Sequence, residues 1–174
     1  MKYLVKFFVV TFFVFTSTHS FAEQLVVVLD LKYVLNNSKA GKGAQEYLKK
    51  TFNDNAKKFT NMEKELKKEE NDLLAKKTIL SKEEYAKKSD ALRKKVIDYQ
   101  SARRASLDKI ATQRAKSREK LMKRIEPILD TYIKENQVSI VIDKKNMLGG
   151  LNKYDITQII IEKLNKELPS IKIE

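Results

Sequence analysis

The absence of helix-breaking residues from the middle of the chain is the strongest constraint on its fold. Residues 44–126 contain neither glycine nor proline. The same stretch is rich in Lys, Glu, Ala, Leu and Arg, the residues with the strongest helix propensity. A single helix of this length would span about 125 Å. The glycines and prolines of the chain lie outside it, at Gly41, Gly43, Gly149, Gly150, Pro127 and Pro169.

A second helix start lies near the middle of this stretch, at Ser81. The hydroxyl of Ser81 can accept a bond from the amide of Glu84, and the Glu84 carboxylate can bond back to the Ser81 amide, which is a capping box. Leu80 and Tyr85 flank the cap where a hydrophobic staple would pack. The pattern predicts that the chain folds back here into two antiparallel helices.

The two predicted helices, 38–78 and 82–126 with a turn near 78–81, carry apolar residues at the heptad spacing of a coiled coil. Polar residues interrupt this seam, so we predict a hairpin that can bend rather than a tightly zipped pair. The interruptions are Asn55, Glu69, Lys76 and Arg103. The apolar seam residues are Leu48, Phe52, Phe59, Met62, Leu66 and Leu73 in the first helix, and Tyr85, Leu92, Val96, Tyr99, Ile110, Leu121, Ile125 and Ile128 in the second.

The two ends of the chain have the pattern of short buried strands. Residues 24–30 (QLVVVLD) and 138–143 (VSIVID) are continuous β-branched and leucine runs that end in aspartate. A short helix is predicted at 31–35 and an amphipathic helix at 156–168. Residues 171–173 alternate as a short terminal strand.

These elements predict an α+β fold with two parts, which we call the head and the arm. The head comprises residues 23–37 and 127–174, and the arm is the helical hairpin at 38–126. A head of about 60 residues is marginal as an independent core. Its solidly apolar strands therefore indicate sheets completed between subunits, and we predict a homo-oligomer.

Residues 1–22 have the pattern of a secretion signal. Lys2 and Lys6 precede an apolar run, and Ala22 completes the small-residue pattern that signal peptidase requires. The run is shorter than the about 20 residues of a membrane-spanning helix. We expect cleavage between Ala22 and Glu23. Because the chain has no cysteine, we expect no lipid anchor and a soluble periplasmic protein.

The composition argues against catalysis. The chain has no cysteine or tryptophan, and its one histidine, His19, lies in the predicted signal. The sequence contains no Gly-rich phosphate loop and no nucleophile with a base to activate it. Acidic pairs at 69–70 and 83–84 lie among lysines on predicted helix surfaces. We therefore predict that the protein is not an enzyme and uses no cofactor or metal.

Positive charge is concentrated in the second helix of the arm. Residues 87–124 hold 14 basic and four acidic side chains, a net charge of +10 out of +13 for the whole chain. They could form a solvated surface that maintains solubility. We favour a field that attracts an anionic partner: an acidic client protein, lipopolysaccharide, an anionic membrane surface or nucleic acid, although an exported protein rarely meets the last. The basic residues assigned to this role are Lys87, Lys88, Arg93, Lys94, Lys95, Arg103, Arg104, Arg114, Lys116, Arg118, Lys120, Lys123 and Arg124.

The order of these features resembles the Skp/OmpH family of periplasmic chaperones. The resemblance covers the signal, the strand LVVVLD with its helix LKYVL, the basic hairpin, the Pro127 region, the strand VSIVIDKKNML and the helix start YDITQIIIEKLN. The last two segments carry most weight, with a strand that ends in Asp143 and a helix that starts at residues 155–157. The pair Gly149-Gly150 departs from the family's usual link.

The resemblance implies a homotrimer whose strands form a small central β-barrel, with three arms around a cavity. It further implies an ATP-independent holdase, whose cavity binds unfolded outer-membrane proteins and prevents their aggregation. Some apolar arm residues would contact the client, although closing the hairpin is the role we favour for most of them. The candidates are Phe52, Phe59, Met62, Tyr85, Leu92 and Tyr99.

Three other functions stay open at this level. A coiled-coil spacer or adaptor of the cell envelope would favour a regular seam and a membrane anchor, and neither is predicted. A protein that binds polyanions, such as lipopolysaccharide or nucleic acid, would bind with steep salt dependence. A membrane-surface binder would associate with liposomes even without a client. None of these functions accounts for the strand-rich head.

Overall fold

The computed structural model of the protein describes residues 24–173. The predicted signal peptide, with its cleavage between Ala22 and Glu23, lies outside the described residues. Two long helices dominate the fold, and a two-stranded sheet and two shorter helices complete it. The α+β prediction, with a long helical hairpin and a small strand-containing head, is confirmed.

The sheet of the head pairs the two apolar runs from opposite ends of the chain. Strand β1 (Leu25–Leu29) and strand β2 (Val138–Asp143) are parallel, with Val28 opposite Ile142. Val28 also forms an isolated parallel bridge to Asp155 at the other edge of β1. The connection between the two strands, residues 30–137, includes the entire arm and provides the long crossover that parallel strands need.

Two short helices and the inner end of a long one cover this sheet. Helix α1 (Leu31–Asn37) starts at Asp30, whose carboxylate accepts a bond from the Tyr33 amide, and helix α4 (Thr157–Glu167) follows the link after β2. Burial of their apolar faces provides the main stabilisation of the head. The buried core contains Val27, Leu29, Val34, Leu35, Leu121, Ile125, Ile128, Val138, Ile156, Ile160, Ile161 and Leu164.

The arm is the pair of helices α2 (Lys39–Ala75) and α3 (Lys82–Glu135). At 37 and 54 residues, they span about 55 Å and about 80 Å. The predicted capping box is confirmed: Ser81 Oγ accepts a bond from the Glu84 amide, and the Glu84 carboxylate accepts one from the Ser81 amide. None of the helices within residues 24–173 is both long enough and apolar enough to traverse a bilayer.

The first turn of α2 is fixed against α1, which joins the arm to the head. Ser38 is fully buried and caps α2 at the amide of Gly41. A Cβ atom on Gly41 would lie 2.0 Å from the carbonyl oxygen of Leu35, so only glycine permits this approach. Lys39 adds a bond from its amide to the Asn165 side chain on α4.

Two predicted helix ends differ from the structure. Helix α2 ends at Ala75 rather than 78, because Lys76 and Lys77 turn their amides to carbonyls three residues back. Helix α3 continues through Pro127 to Glu135 instead of ending at 126. Proline removes one helical hydrogen bond, but the buried residues on both sides of it hold the helix against the core.

The predicted strand at 171–173 is wrong, because these residues lie outside any strand in the described structure. Ile171 packs against the head core instead.

Helix α3 ends with Asn136 as its cap, and Gln137 follows in the left-handed region at a φ of 52°. This turn redirects the chain into β2.

Candidate functional site

The seam between α2 and α3 closes tightly near the head and loosely towards the outer end of the arm. Leu48, Phe59 and Ile110 are buried in the inner half. The outer seam residues are only partly buried, whereas these inner ones are enclosed. These partly buried residues are Met62, Leu66, Leu73, Tyr85, Leu92, Val96 and Tyr99.

One level of the seam is open to solvent, where Arg103 breaks the apolar pattern. The Phe59 ring packs edge-on against Tyr99, with ring centroids 6.0 Å apart. Beside this pair lies a groove of about 140 Å³ that is also lined by Phe52, Arg103 and Leu107. Phe52 is 49% exposed and Leu107 48% exposed. The arm thus presents apolar side chains next to a guanidinium group, and we call this feature the arm groove.

Polar and charged contacts lie beside the partly buried seam residues in the outer half of the arm. Lys95 Nζ on α3 lies 2.6 Å from the Glu69 carboxylate on α2, and the Tyr99 hydroxyl lies 3.5 Å from Glu63. Exposed ion pairs of this kind contribute about 0–1 kcal/mol each. The outer half is therefore held together less strongly than the inner half.

Two buried polar residues, Gln113 and Ser117, occupy the seam just inside the arm groove. Gln113 is 4% exposed, and its Oε1 has no hydrogen-bond partner among the described residues. Ser117 Oγ donates to the carbonyl of Gln113 at 2.7 Å. The sequence reasoning missed both residues because they are polar, although their spacing continues the series from Ile110 to Leu121.

Every basic residue predicted to attract an anionic partner is exposed along α3. Arg93, Lys95, Lys123 and Arg124 pair with carboxylates, and Lys120 donates to the carbonyl of Lys172. The pKa of Lys123 is raised by its hydrogen bond to Glu119. The others form no ion pair with any residue between 24 and 173: Lys87, Lys88, Lys94, Arg103, Arg104, Arg114, Lys116 and Arg118.

The structure separates the predicted apolar candidates by exposure. Phe52 is accessible in the arm groove, whereas Phe59 is 8% exposed and packs between the two helices of the seam. Met62, Tyr85, Leu92 and Tyr99 are intermediate and present only an edge to solvent. Leu107 is a groove residue that the sequence reasoning missed, because it falls outside the predicted seam.

The head has a second apolar surface, at the open side of its sheet. A cleft of about 790 Å³ is lined by residues of both strands and of the link that follows β2. Ile140 is 50% exposed and Leu151 66% exposed. A two-stranded sheet is marginally stable alone, and exposed strand edges favour pairing with another chain.

A polar cluster fixes the link after β2 to the rest of the head. Asp155 accepts bonds from Lys144 Nζ at 2.6 Å and from the Thr157 amide at 2.9 Å. Burial acts to raise the pKa of Asp155, but these hydrogen bonds outweigh it and hold that pKa below its ordinary value. Within residues 24–173, no group of three or more His, Cys, Asp or Glu side chains could hold a metal ion.

The comparisons with known proteins agree with this architecture. No curated protein matches the chain. A crystal structure of an OmpH-like protein from Caulobacter crescentus CB15, described as a candidate outer membrane chaperone, is similar to it with a TM-score of 0.80. The two are 17% identical, and the similarity covers 90% of this chain and 93% of that one, so they share the fold. The family model described as "Outer membrane protein (OmpH-like)" matches residues 26–164. The chain therefore belongs to the OmpH-like family.

Proposed function

We propose that the protein is an ATP-independent holdase chaperone that binds unfolded outer-membrane proteins in the periplasm and prevents their aggregation. The observation that carries the proposal is the combination, on one projecting arm, of the exposed basic surface of α3 with the arm groove. Membership of the OmpH-like family and similarity to a candidate chaperone of that type support it.

The charges of α3 would act first, at long range. Unpaired basic side chains attract a client with net negative charge and raise the rate of encounter. An unfolded β-barrel protein then offers alternating apolar side chains, which can contact Phe52 and Leu107 in the arm groove. Many weak contacts of this kind suit clients that share composition rather than sequence, and they need no nucleotide.

The head would assemble the arms around the client. Its incomplete sheet, the large cleft beside it and the exposed side chains of Ile140 and Leu151 favour contact with further copies of the chain. We propose a homotrimer, in which the sheets complete one another and three arms surround a cavity. Export by the predicted signal peptide would deliver the chain to the periplasm as a soluble protein.

The proposed function is tested by diluting a urea-unfolded outer-membrane β-barrel protein into buffer with and without this protein, purified from the periplasm. Light scattering reports aggregation, and multi-angle scattering after size exclusion gives the mass of any soluble complex. We expect suppressed aggregation and three chains per client without ATP. Undiminished aggregation beside a folded oligomer would reject the holdase and favour a spacer or polyanion-binding protein.

A pair of charge variants tests the role of α3. Changing Arg103, Arg104, Arg114 and Arg118 to glutamine should slow client association about tenfold at low salt. The matched control changes four exposed lysines on α2 to glutamine and lowers the net charge by the same amount. These residues are Lys49, Lys50, Lys64 and Lys67. An equal effect of the two sets would show that total charge, and not the α3 surface, recruits clients.

A further inference from the structure

A further cleft lies where the inner end of α3 meets residues 168–173, the segment that follows α4, and we call it the base groove. It has a volume of about 460 Å³. Among the described residues that line it, Glu167 is the only one with a carboxylate. The cationic lining residues are Lys120, Lys123 and Arg124 on α3 and Lys172 on the segment. The base groove therefore carries a net positive charge.

Residues 171–173 have the exposure pattern of a β-strand but no partner strand. Ile171 and Ile173 are partly buried, whereas Lys172 between them is exposed, which is the alternation that a strand shows. Within residues 24–173, no amide or carbonyl of this stretch forms a backbone–backbone hydrogen bond. The stretch thus offers a strand edge that the rest of the described chain does not complete.

Contacts with the head hold this stretch beside the base groove. Ile171 packs against the head core, and Lys120 Nζ donates a 3.0 Å hydrogen bond to the carbonyl oxygen of Lys172. Arg124 Nε lies 3.0 Å from the carboxylate of Glu167, at the end of α4. Because the edge is already held in place, little conformational entropy is lost when another strand pairs with it.

We propose that the base groove binds an acidic, extended polypeptide segment by strand addition. The incoming strand pairs with the backbone of Ile171 and Ile173, because the carbonyl of Lys172 already accepts a bond from Lys120. Backbone hydrogen bonds of this kind provide affinity without requiring a particular sequence. Carboxylates of the incoming strand contact the cations of the groove, and these contacts select acidic segments.

The charges of the base groove favour an acidic partner over a second copy of this chain. Lys120 and Lys172 form no ion pair with any residue in the described part of the chain, so both can contact a carboxylate. A second copy would present the same cations, and like charges that lie opposite each other destabilise paired strands.

The base groove is separate from the features on which the proposed function depends. Residues 168–173 follow the range 26–164 that the family model matches. The arm groove lies elsewhere, around Phe52 and Arg103. The inference therefore goes beyond the proposed function and does not depend on the arm groove.

A titration with a short peptide that alternates glutamate with valine tests the proposal. The chain has no cysteine, so Ser170→Cys places a single environment-sensitive fluorophore at the base groove of the full protein. Ser101→Cys is the control, on the exposed surface of α3 in the arm. We expect a saturable change of emission only for the label at 170. At low salt, a peptide with glutamine in place of glutamate should bind about tenfold more weakly.

Backbone pairing is tested by calorimetry with unlabelled variants of Ile173. Ile173→Pro removes the amide donor and should lower the affinity for the glutamate peptide about tenfold. Ile173→Ala keeps the amide and should bind within about twofold of the natural chain. A glutamate peptide that is N-methylated along one edge should lose affinity in the same way as Ile173→Pro. Urea unfolding confirms that each variant is folded.

The cations are tested by the double variant Lys120→Gln with Lys172→Gln. Its affinity for the glutamate peptide should fall about tenfold at low salt. The control, Lys64→Gln with Lys67→Gln, removes the same charge from exposed positions on α2 and should leave the affinity unchanged.

Four outcomes would overturn the proposal. Equal affinities for the glutamate and glutamine peptides, or equal losses in the two double variants, would contradict recognition of charge by the base groove. Full binding of the N-methylated peptide, or by Ile173→Pro, would contradict strand addition. Equal responses of the two labels would place the peptide along the arm. Suppressed aggregation of an outer-membrane protein without any peptide binding would reject the base groove and leave the holdase function standing.

Discussion

The backbone amide of Asp30 donates a 2.8 Å hydrogen bond to the hydroxyl oxygen of Thr157, a residue 127 positions later in the chain. Asp30 follows β1 and caps α1, and Thr157 begins α4. The bond therefore joins the two ends of the chain across the whole arm. With the adjacent bond from the Thr157 amide to Asp155, it fixes the link that follows β2.

Thr157→Val tests the contribution of this bond to the head. Valine has nearly the same shape but no acceptor, so the amide of Asp30 loses its partner in a partly buried site. We expect the free energy of unfolding to fall by about 1–3 kcal/mol, measured by urea unfolding at fixed protein concentration. Thr131→Val is the control, because Thr131 makes its bond to Pro127 on the exposed surface. Equal losses in the two variants would contradict a special role for Thr157.

Alanine variants at Phe59 and Phe52 should distinguish an effect on the stability of the arm from an effect on client binding. Phe59→Ala removes a buried ring from the seam and should lower the stability of the arm by about 3 kcal/mol. Phe52→Ala removes an exposed ring and should change it by less than about 1 kcal/mol, but weaken client binding. Hydrogen exchange of arm amides and the aggregation assay measure the two effects. If Phe59→Ala strongly weakened client binding and Phe52→Ala did not, the exposed ring of Phe52 would not be a client contact.

Gln113→Leu should stabilise the arm. The Oε1 atom of Gln113 is buried and lacks a partner among the described residues, so removing it should raise the free energy of unfolding by about 1–2 kcal/mol. Gln100→Leu, at an exposed position of the same helix, should change it by less than about 0.5 kcal/mol. A loss of stability with Gln113→Leu would mean that another copy of the chain or a bound water satisfies this atom.

Below about pH 8, the stability of the head should depend on pH only in the acid range. Residues 24–173 contain no histidine or cysteine, so between about pH 5 and 8 we expect a constant free energy of unfolding. Because the pKa of Asp155 is lowered in the folded state, its contribution is complete above about pH 4 and is lost as the pH falls through the folded-state pKa.

Asp155→Asn should therefore flatten the acid limb of the stability profile, measured by urea unfolding across a pH series. Asp54→Asn removes a charge from the exposed surface of the arm and should leave the acid limb in place. An unchanged profile for Asp155→Asn would show that the ion pair with Lys144 does not stabilise the folded head.

Local signals in the sequence predict the helices and the strands well. The capping box of Ser81 and Glu84 is recognisable because all its donors and acceptors lie within four residues. The parallel pairing of the two strands depends on contacts across more than 100 residues. The sequence of neither strand alone predicts it. The predicted helix end at 126 is wrong for the same reason. Packing of Ile125 and Ile128 in the core overrides the tendency of Pro127 to end a helix.

The candidate site shows the same limit. Phe52 and Phe59 occupy equivalent seam positions in the sequence, yet one is exposed and the other buried. Both rings line the groove that Arg103 also lines, and only the packing of the two helices decides which ring is covered. The short alternation at 171–173 predicts a strand, but three residues have no partner strand within the described chain, and Ile171 joins the core from a loop.

Helix α3 runs without interruption from the outer end of the arm into the head core. The direction of the arm is set inside the head, by Leu121, Ile125 and Ile128, whereas the two helices of its outer half pack against each other. Matched insertions or deletions of whole heptads in α2 and α3 would therefore lengthen or shorten the arm without disturbing the head. Within one chain, the head is therefore a fixed base, and the reach of the single arm depends on helix length alone.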